Sequence, residues 1–189
     1  KYYMKLIFNY KKIIFILVIY IASTKFFKGY ISYYPTIPVY PNNETDIKVM
    51  KQEMEKRTQE DIDFFFKTND SITYAFLPYV DEKQEDLIRV IVSQNYIINF
   101  FKYSINRIRP YQIDDNLKPL STKTSNTPAY PAGHAYQAML LAKHLTKKYP
   151  EKKELFHNLA LKCDECRVKA GIHYKSDGEF SRKLFHIFN

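Results

Sequence analysis

The spacing of apolar residues along the chain predicts that most of it is helical. In residues 81–108, an acidic first turn that suits the helix dipole is followed by apolar side chains three and four positions apart. The same periodicity recurs elsewhere, and the predicted helices cover residues 45–67, 81–108, 134–149, 151–170 and 175–188. No segment shows the strict alternation of a half-buried strand. The pattern therefore predicts an all-α fold, a compact helical bundle.

Two proline-rich stretches interrupt this pattern. Residues 110–131 contain four prolines, and proline fixes φ and disfavours helix in the residue before it. We expect a long loop there. Residues 26–44 are rich in both Tyr and Pro, which predicts a linker or an extended arm.

An apolar run at residues 13–22 follows a start that carries four lysines in residues 1–12. The run is shorter than the ~20 residues that span a bilayer as a helix. The order of basic, apolar and then small residues is typical of a secretory signal or an uncleaved signal-anchor, and a buried N-terminal helix is the alternative. The expected organisation is a signal peptide or membrane anchor at 1–25, the arm at 26–44 and the functional domain at 45–189. The domain is then secreted or membrane-anchored, on the non-cytosolic side.

The net charge of the chain bears on which partners it binds, and its two cysteines bear on whether it binds a metal ion. A formal charge of +9 is explained equally well by a solvated lysine-rich surface and by attraction of anionic substrates or surfaces. No helix-turn-helix, zinc-finger or RNA-recognition pattern accompanies it, so nucleic acid is not an expected partner. Cys163 and Cys166 lie in a predicted helix with no second ligand pair at zinc-finger spacing. We expect two small, partly buried residues there, and a local disulfide is the alternative if the domain is exported. The sequence leaves the oligomeric state open.

Three short clusters in the second half of the chain carry the candidate chemistry. The first contains Lys102 and Arg109, seven positions apart, so two helical turns would bring both cations near one face. The second is Pro131-Ala132-Gly133-His134, where the loop becomes a helix. A glycine there lets backbone N–H groups approach an anion, and His134 can donate a proton to a leaving oxygen.

The third cluster joins Arg167, His173 and Asp177. In a helix, a carboxylate four positions after a histidine holds one imidazole nitrogen and leaves the other as a nucleophile. Arg167 can donate two parallel hydrogen bonds to phosphate oxygens. Taken singly, the clusters are explained at least as well by a solvated basic face that includes Arg107, an ordinary turn and a surface His–Asp pair.

Taken together, the order and spacing of the clusters resemble the three motifs of the type 2 phosphatidic acid phosphatase (PAP2) superfamily. The stretches are NRIRPYQ at 106–112, AYPAGHAYQA at 129–138 and CRVKAGIHYKSD at 166–177. The resemblance covers residues 58–180, and the superfamily includes class A acid phosphatases, lipid phosphate phosphatases and vanadium haloperoxidases. It implies a bundle of the PAP2/haloperoxidase type and an acid phosphatase that hydrolyses phosphomonoesters.

The resemblance also implies a role for each motif residue. His173 is expected to attack phosphorus and form a phosphohistidine, Asp177 to orient it, and His134 to protonate the leaving alcohol and then activate water. The phosphate is expected to be bound by Lys102, Arg109, Ala132, Gly133 and Arg167. No metal or other cofactor is expected, except vanadate if the chain were a haloperoxidase. The expected substrate is a phosphorylated small molecule or a lipid head group, with possible membrane association through residues 13–22.

The chain departs from the family pattern at two positions. Ala132 stands where the family usually has serine, and loss of one such hydroxyl donor typically costs about 10²–10³ in rate. Cys166 replaces the serine that often precedes the third-motif arginine. The alternative functions are a lipid phosphate phosphatase, a vanadium-dependent haloperoxidase and a low-activity phosphate-binding relative. The histidines outside the motifs, His144, His157 and His186, are expected to be structural or surface residues.

Overall fold

The computed structural model of the protein describes residues 39–122 and 125–189, which contain helices and no strands. The predicted all-α class is confirmed for this part of the chain. The α-helices are α1 (Asn43–Glu55), α2 (Gln59–Asn69), α3 (Thr73–Phe76), α4 (Gln84–Val92), α5 (Asn95–Ile105), α6 (Gly133–Lys148), α7 (Lys153–Lys169) and α8 (Lys175–Phe188). Short 3₁₀ turns lie at Leu77–Tyr79, Pro110–Gln112 and Pro150–Lys152.

The predicted signal or anchor and most of the predicted arm lie outside the described residues. Within residues 39–122 and 125–189, no helix combines the length and the apolar character needed to cross a bilayer. The first described helix, α1, begins after Asn42, whose side chain accepts a hydrogen bond from the backbone N–H of Glu44 at 2.7 Å. This is an N-cap, which satisfies one of the backbone donors at the start of the helix.

The continuous helices predicted over 45–67 and 81–108 are wrong, because each is divided in two. Between α1 and α2, Thr58 and Asp61 form a capping box that starts a new helix, with the Asp61 carboxylate accepting from Thr58 N–H at 2.9 Å. Between α4 and α5, the Ser93 hydroxyl donates to the carbonyl of Val90 at 2.7 Å. Such local side-chain bonds compete with the helical ones.

Helix α5 also ends earlier than predicted, at Ile105. The next residue, Asn106, has a φ of 52° in the left-handed region, and asparagine tolerates this conformation better than most residues. Arg109 therefore follows the helix instead of lying two turns along it from Lys102. The shared helical face predicted for these two cations is wrong, and their proximity arises from the path of the chain after α5.

Helix α6 is the central helix of the described bundle. It packs mainly against α7 and α8, with further contacts to α4 and α5. Its buried residues occupy most of its circumference, as in a helix surrounded by others. The core around it includes Phe76, Leu141, Leu145 and Phe156, each 0% exposed. Because α6 begins at Gly133, the second motif lies where this central helix starts.

Gly171 turns the chain between α7 and α8. Its φ of +78° lies in the left-handed region that other residues rarely adopt. The N–H groups of Gly171 and Ile172 bond back to the carbonyls of Val168 and Arg167 at 2.9 and 3.2 Å. The turn returns the chain towards the last turn of α7, close enough for the charge of Arg167 to act on His173.

Candidate active site

His173 and Asp177 meet at the N-terminus of α8. Tyr174 is the N-cap residue of α8, so His173 precedes the helix and the predicted helical i, i+4 pairing is wrong in its geometry. Asp177 reaches back instead: its Oδ2 accepts from Tyr174 N–H at 3.0 Å and lies 2.9 Å from His173 Nδ1. Both partners are buried, at 3% and 0% exposed. The contact favours the tautomer with a proton on Nδ1 and leaves the Nε2 lone pair of His173 for chemistry.

Arg107 is the residue of the site that the sequence interpretation missed. Predicted on a solvated face, it is 0% exposed. Its guanidinium donates to Asp177 Oδ1 at 2.7 Å and to Asp46 Oδ2 at 2.8 Å, and its Cζ lies 3.7 Å from the ring centroid of Tyr174. Burial raises the pKa of the Asp177 carboxyl, and the charge of Arg107 opposes that rise. No local signal reveals these contacts, because the two carboxylates are 61 and 70 positions away along the chain.

Lys102 and Arg109 approach the same region from α5 and from the segment after it. The Lys102 ammonium donates to the carbonyl of Pro128. Arg109 Nη1 donates to the carbonyl of Ile172 at 2.7 Å and lies 3.0 Å from His173 Nε2, the nitrogen that the carboxylate leaves free. Burial lowers the pKa of both cations, and the charge of Arg109 lowers that of Lys102 further.

Five of the predicted site residues line one cavity of about 150 Å³: Lys102, Arg109, Gly133, His134 and His173. The rest of the lining consists of Ile98, Thr127 and three carboxamides, Asn95, Asn99 and Gln137. The cavity thus lies between α5, the start of α6 and the turn before α8. Two cations and two imidazoles around one space are suited to bind an oxyanion and to transfer a proton.

The pKa values of the two histidines in this cavity are well below their usual range. For His173, burial is the main cause and the charge of Arg109 adds to it. For His134, burial acts together with the charge of Arg167, and a hydrogen bond to the backbone of Asn69 partly offsets both. Both imidazoles are therefore neutral at pH 7, and a neutral His173 has the lone pair that a nucleophile requires.

Arg167 and Ala132 are not among the residues that line this cavity. Arg167 is 1% exposed and donates to the hydroxyl and the carbonyl of Thr68 at 2.7 and 2.6 Å. Ala132 is 2% exposed, and its N–H is bonded to the carbonyl of Asp177 at 3.2 Å. Arg167 therefore acts on the site through its charge, and the backbone donor of Ala132 is already in use.

Three buried cations, Lys102, Arg109 and Arg167, form no ion pair with a carboxylate within residues 39–122 and 125–189. We call them the cation cluster. They are 5%, 2% and 1% exposed, and the contacts described above are with carbonyls, a hydroxyl and an imidazole. Buried charges are normally paired. An anion in the adjoining cavity is therefore strongly favoured by electrostatics.

The remaining sequence predictions concern residues away from the cavity. Cys163 and Cys166 are free and buried in α7. His144, His157 and His186 are exposed, in keeping with a structural or surface role.

No protein-family model matches the chain, and no curated protein matches it by sequence. Among solved structures, it is similar to a transmembrane PAP2-type phosphatidylglycerolphosphate phosphatase from Bacillus subtilis. The TM-score is 0.41 and the sequence identity 20%, over 75% of this chain and 73% of that one.

Proposed function

We propose that this protein is a phosphatase that hydrolyses phosphomonoesters without a metal ion, through a phosphohistidine intermediate. The cation cluster is the observation that carries the proposal. Three buried cations lack a carboxylate partner among the described residues, and two of them line a cavity together with two neutral histidines. A phosphate monoester dianion provides compensating negative charge and accepts hydrogen bonds from each of the cations that reach it.

In the first step, His173 Nε2 forms a bond to phosphorus while the bond from phosphorus to the leaving oxygen breaks. The imidazole then carries a positive charge, which the Asp177 carboxylate at Nδ1 stabilises. Arg109 Nη1, 3.0 Å from His173 Nε2, is in position to pass its hydrogen bond to a phosphate oxygen. Donors arranged in advance around developing charge are usually the largest contribution to such a rate.

His134 transfers protons in both steps. It protonates the leaving alcohol in the first step, and in the second it takes a proton from the water that attacks phosphorus as the bond to His173 breaks. Burial and the charge of Arg167 lower the pKa of His134. A bound dianion raises it again and so favours the protonated form that the first step requires. Activity is accordingly expected to be highest at mildly acidic pH.

The phosphate ester belongs to one of two sources, a phosphorylated small molecule or a lipid head group. The lysine-flanked apolar run at 13–22 is the observation that favours a lipid, because a basic anchored domain is attracted to an anionic membrane surface. The lysines that precede the run also favour a domain on the non-cytosolic side. A lipid phosphate presented in detergent micelles therefore belongs in the substrate panel.

The test is phosphate release from p-nitrophenyl phosphate by the wild type, by His173→Ala and by His157→Ala. Loss of the nucleophile is expected to lower the rate by at least about 10³-fold, whereas exposed His157 is a matched control that retains full activity. Equal rates for the wild type and His173→Ala would sink the proposal. Phosphate binding without turnover in the wild type would favour the low-activity alternative.

Two further measurements test the mechanism. Labelled substrate quenched in alkali is expected to leave a phosphorylated imidazole at His173 and none in His173→Ala. A metal chelator is expected to leave the rate unchanged. A requirement for an added divalent metal would contradict the metal-independent mechanism.

A further inference from the structure

Three carboxamide side chains line the same cavity beside the residues proposed to bind phosphate. On α5, Asn99 and Asn95 lie one and two turns before Lys102, so all three share a face of the helix. On α6, Gln137 lies one turn after His134. The two helices therefore present amides side by side, next to the residue proposed to protonate the leaving alcohol.

These carboxamides retain hydrogen-bonding capacity. Gln137 Nε2 donates to Asn95 Oδ1 at 2.8 Å and ties α5 to α6. The Asn99 side chain makes no hydrogen bond with any of residues 39–122 and 125–189. A carboxamide offers two donors and an acceptor oxygen, so Asn99 presents both kinds of group to whatever occupies the cavity. Ile98 is the one aliphatic side chain among the described residues that line it.

We propose that Asn99, supported by the Asn95–Gln137 pair, forms a subsite that selects a leaving alcohol bearing a hydroxyl group next to the phosphoester. This subsite rests on the proposed function, because a leaving alcohol exists only if the neighbouring site binds and cleaves a phosphate ester. A vicinal hydroxyl donates to the Asn99 oxygen and accepts from its NH₂ group. An alkyl leaving group would bury the same amide without partners, and an unmade buried hydrogen bond of this kind typically lowers affinity about 10- to 100-fold.

The experiment compares two substrates of nearly equal size, glycerol 3-phosphate and n-propyl phosphate, by kcat/KM. The wild type is expected to prefer glycerol 3-phosphate by about 10-fold or more, and Asn99→Leu to lose most of that preference by becoming slower on glycerol 3-phosphate alone. Asn99→Ser, which keeps a hydroxyl, is expected to be intermediate. Asn158→Leu, at an exposed position of α7, is the matched control and is expected to behave as the wild type.

Either of two results overturns the subsite: a wild-type ratio near one, or a ratio that Asn99→Leu leaves unchanged. Failure of the proposed function looks different, because no phosphate is released from either substrate. The subsite is then decided by calorimetric binding of the same two compounds to His173→Ala, which does not require turnover. Tighter binding of glycerol 3-phosphate by about 10-fold supports it, and equal or absent binding refutes it.

A second pair of substrates distinguishes the source of the hydroxyl. Lysophosphatidate and phosphatidate in mixed micelles differ in the hydroxyl next to the phosphorylated carbon, which is free in the first and esterified in the second. A preference for lysophosphatidate that Asn99→Leu abolishes supports the subsite with a lipid ligand. If only the soluble pair shows the preference, the subsite is supported and its ligand is a soluble polyol phosphate.

Discussion

Arg107 on its own and the cation cluster are two groups of buried cations with different electrostatic surroundings. Arg107 pairs with two carboxylates, Asp46 and Asp177, and its guanidinium stacks on an aromatic ring. The cation cluster, which includes Arg109 two positions later, has no carboxylate partner among the described residues. The positive charge of Arg107 is thus neutralised by direct ion pairs, whereas Lys102 and Arg109 of the cluster are influenced by a carboxylate only through the more distant charge of Asp177.

The difference separates two roles that the same residue type can have. A buried cation neutralised by carboxylates fixes the positions of its partners, and here it orients the aspartate that orients His173. Buried cations without such partners cost desolvation free energy in the folded protein and offset it when an anion binds. Substitution in the first group is therefore expected to reduce stability, and substitution in the second to reduce function.

The largest expected effect is a loss of stability in Arg107→Met. The substitution leaves Asp46 and Asp177 buried without their partner, and breaking a buried pair in this way typically lowers the free energy of unfolding by about 3–5 kcal/mol. Urea denaturation at pH 7 measures it. Arg182→Met is the control. Arg182 is 28% exposed and pairs with Asp164, whereas Arg107 is fully buried and pairs with two carboxylates, so a smaller loss is expected at Arg182. An equal loss in both variants would contradict the special position of Arg107.

Arg109→Met is expected to lower activity and to leave stability intact, the opposite of the effect of Arg107→Met. Removal of one donor to the transition state typically lowers kcat/KM by about 10²–10³, and removal of an unpaired buried charge relieves desolvation, so stability is retained or increased. Phosphate at a hundred times its Kd should stabilise the wild type by about 2.7 kcal/mol and the variant much less. Thermal melting with and without phosphate measures this. A stability loss as large as that of Arg107→Met would erase the distinction between the two groups.

The pH dependence of stability tests the depressed pKa of His173, which is caused by burial and by the charges of the cation cluster. Its pKa in the folded protein lies well below 6.5, the ordinary value, so below that pH the unfolded chain binds a proton that the folded protein does not. Stability is therefore lost as pH falls from 6.5, at up to about 1.4 kcal/mol per pH unit for one group. His173→Gln is expected to lose less over this range in urea titrations, and His157→Gln to match the wild type. Identical slopes in all three proteins would refute the depressed pKa.

The smallest expected effect is a gain in stability in Ala132→Ser. Ala132 is the N-cap residue of α6 and provides no side-chain hydrogen bond. A serine there is expected to cap the helix and add about 1 kcal/mol to the free energy of unfolding. Ala132→Cys, similar in size but a weak acceptor, is the control, and equal melting temperatures for the two would argue against capping. A rise in kcat/KM in the serine variant alone would show that the hydroxyl also reaches the phosphate.

Helix positions were largely predictable from local sequence, and helix breaks were not. Apolar periodicity located α6, α7 and α8 closely, because a helix buried in a bundle repeats its apolar positions every three or four residues. The break at Ser93 and the left-handed Asn106 were missed, since each depends on one local hydrogen bond or one dihedral angle that periodicity does not report.

The sequence alone determined which residue types are available for chemistry and in what order. The three motifs identify Lys102, Arg109, His134, His173 and Asp177 as candidates by their short spacings. Residues that are close in the sequence remain close in space even where a helix ends earlier than predicted. Tertiary structure alone decided which cations are neutralised. Arg107 is paired and Arg109 is not because the carboxylates of Asp46 and Asp177, more than sixty positions away in the sequence, form ion pairs only with Arg107. Electrostatic free energy depends on distances in space, and those are set by the packing of the helices.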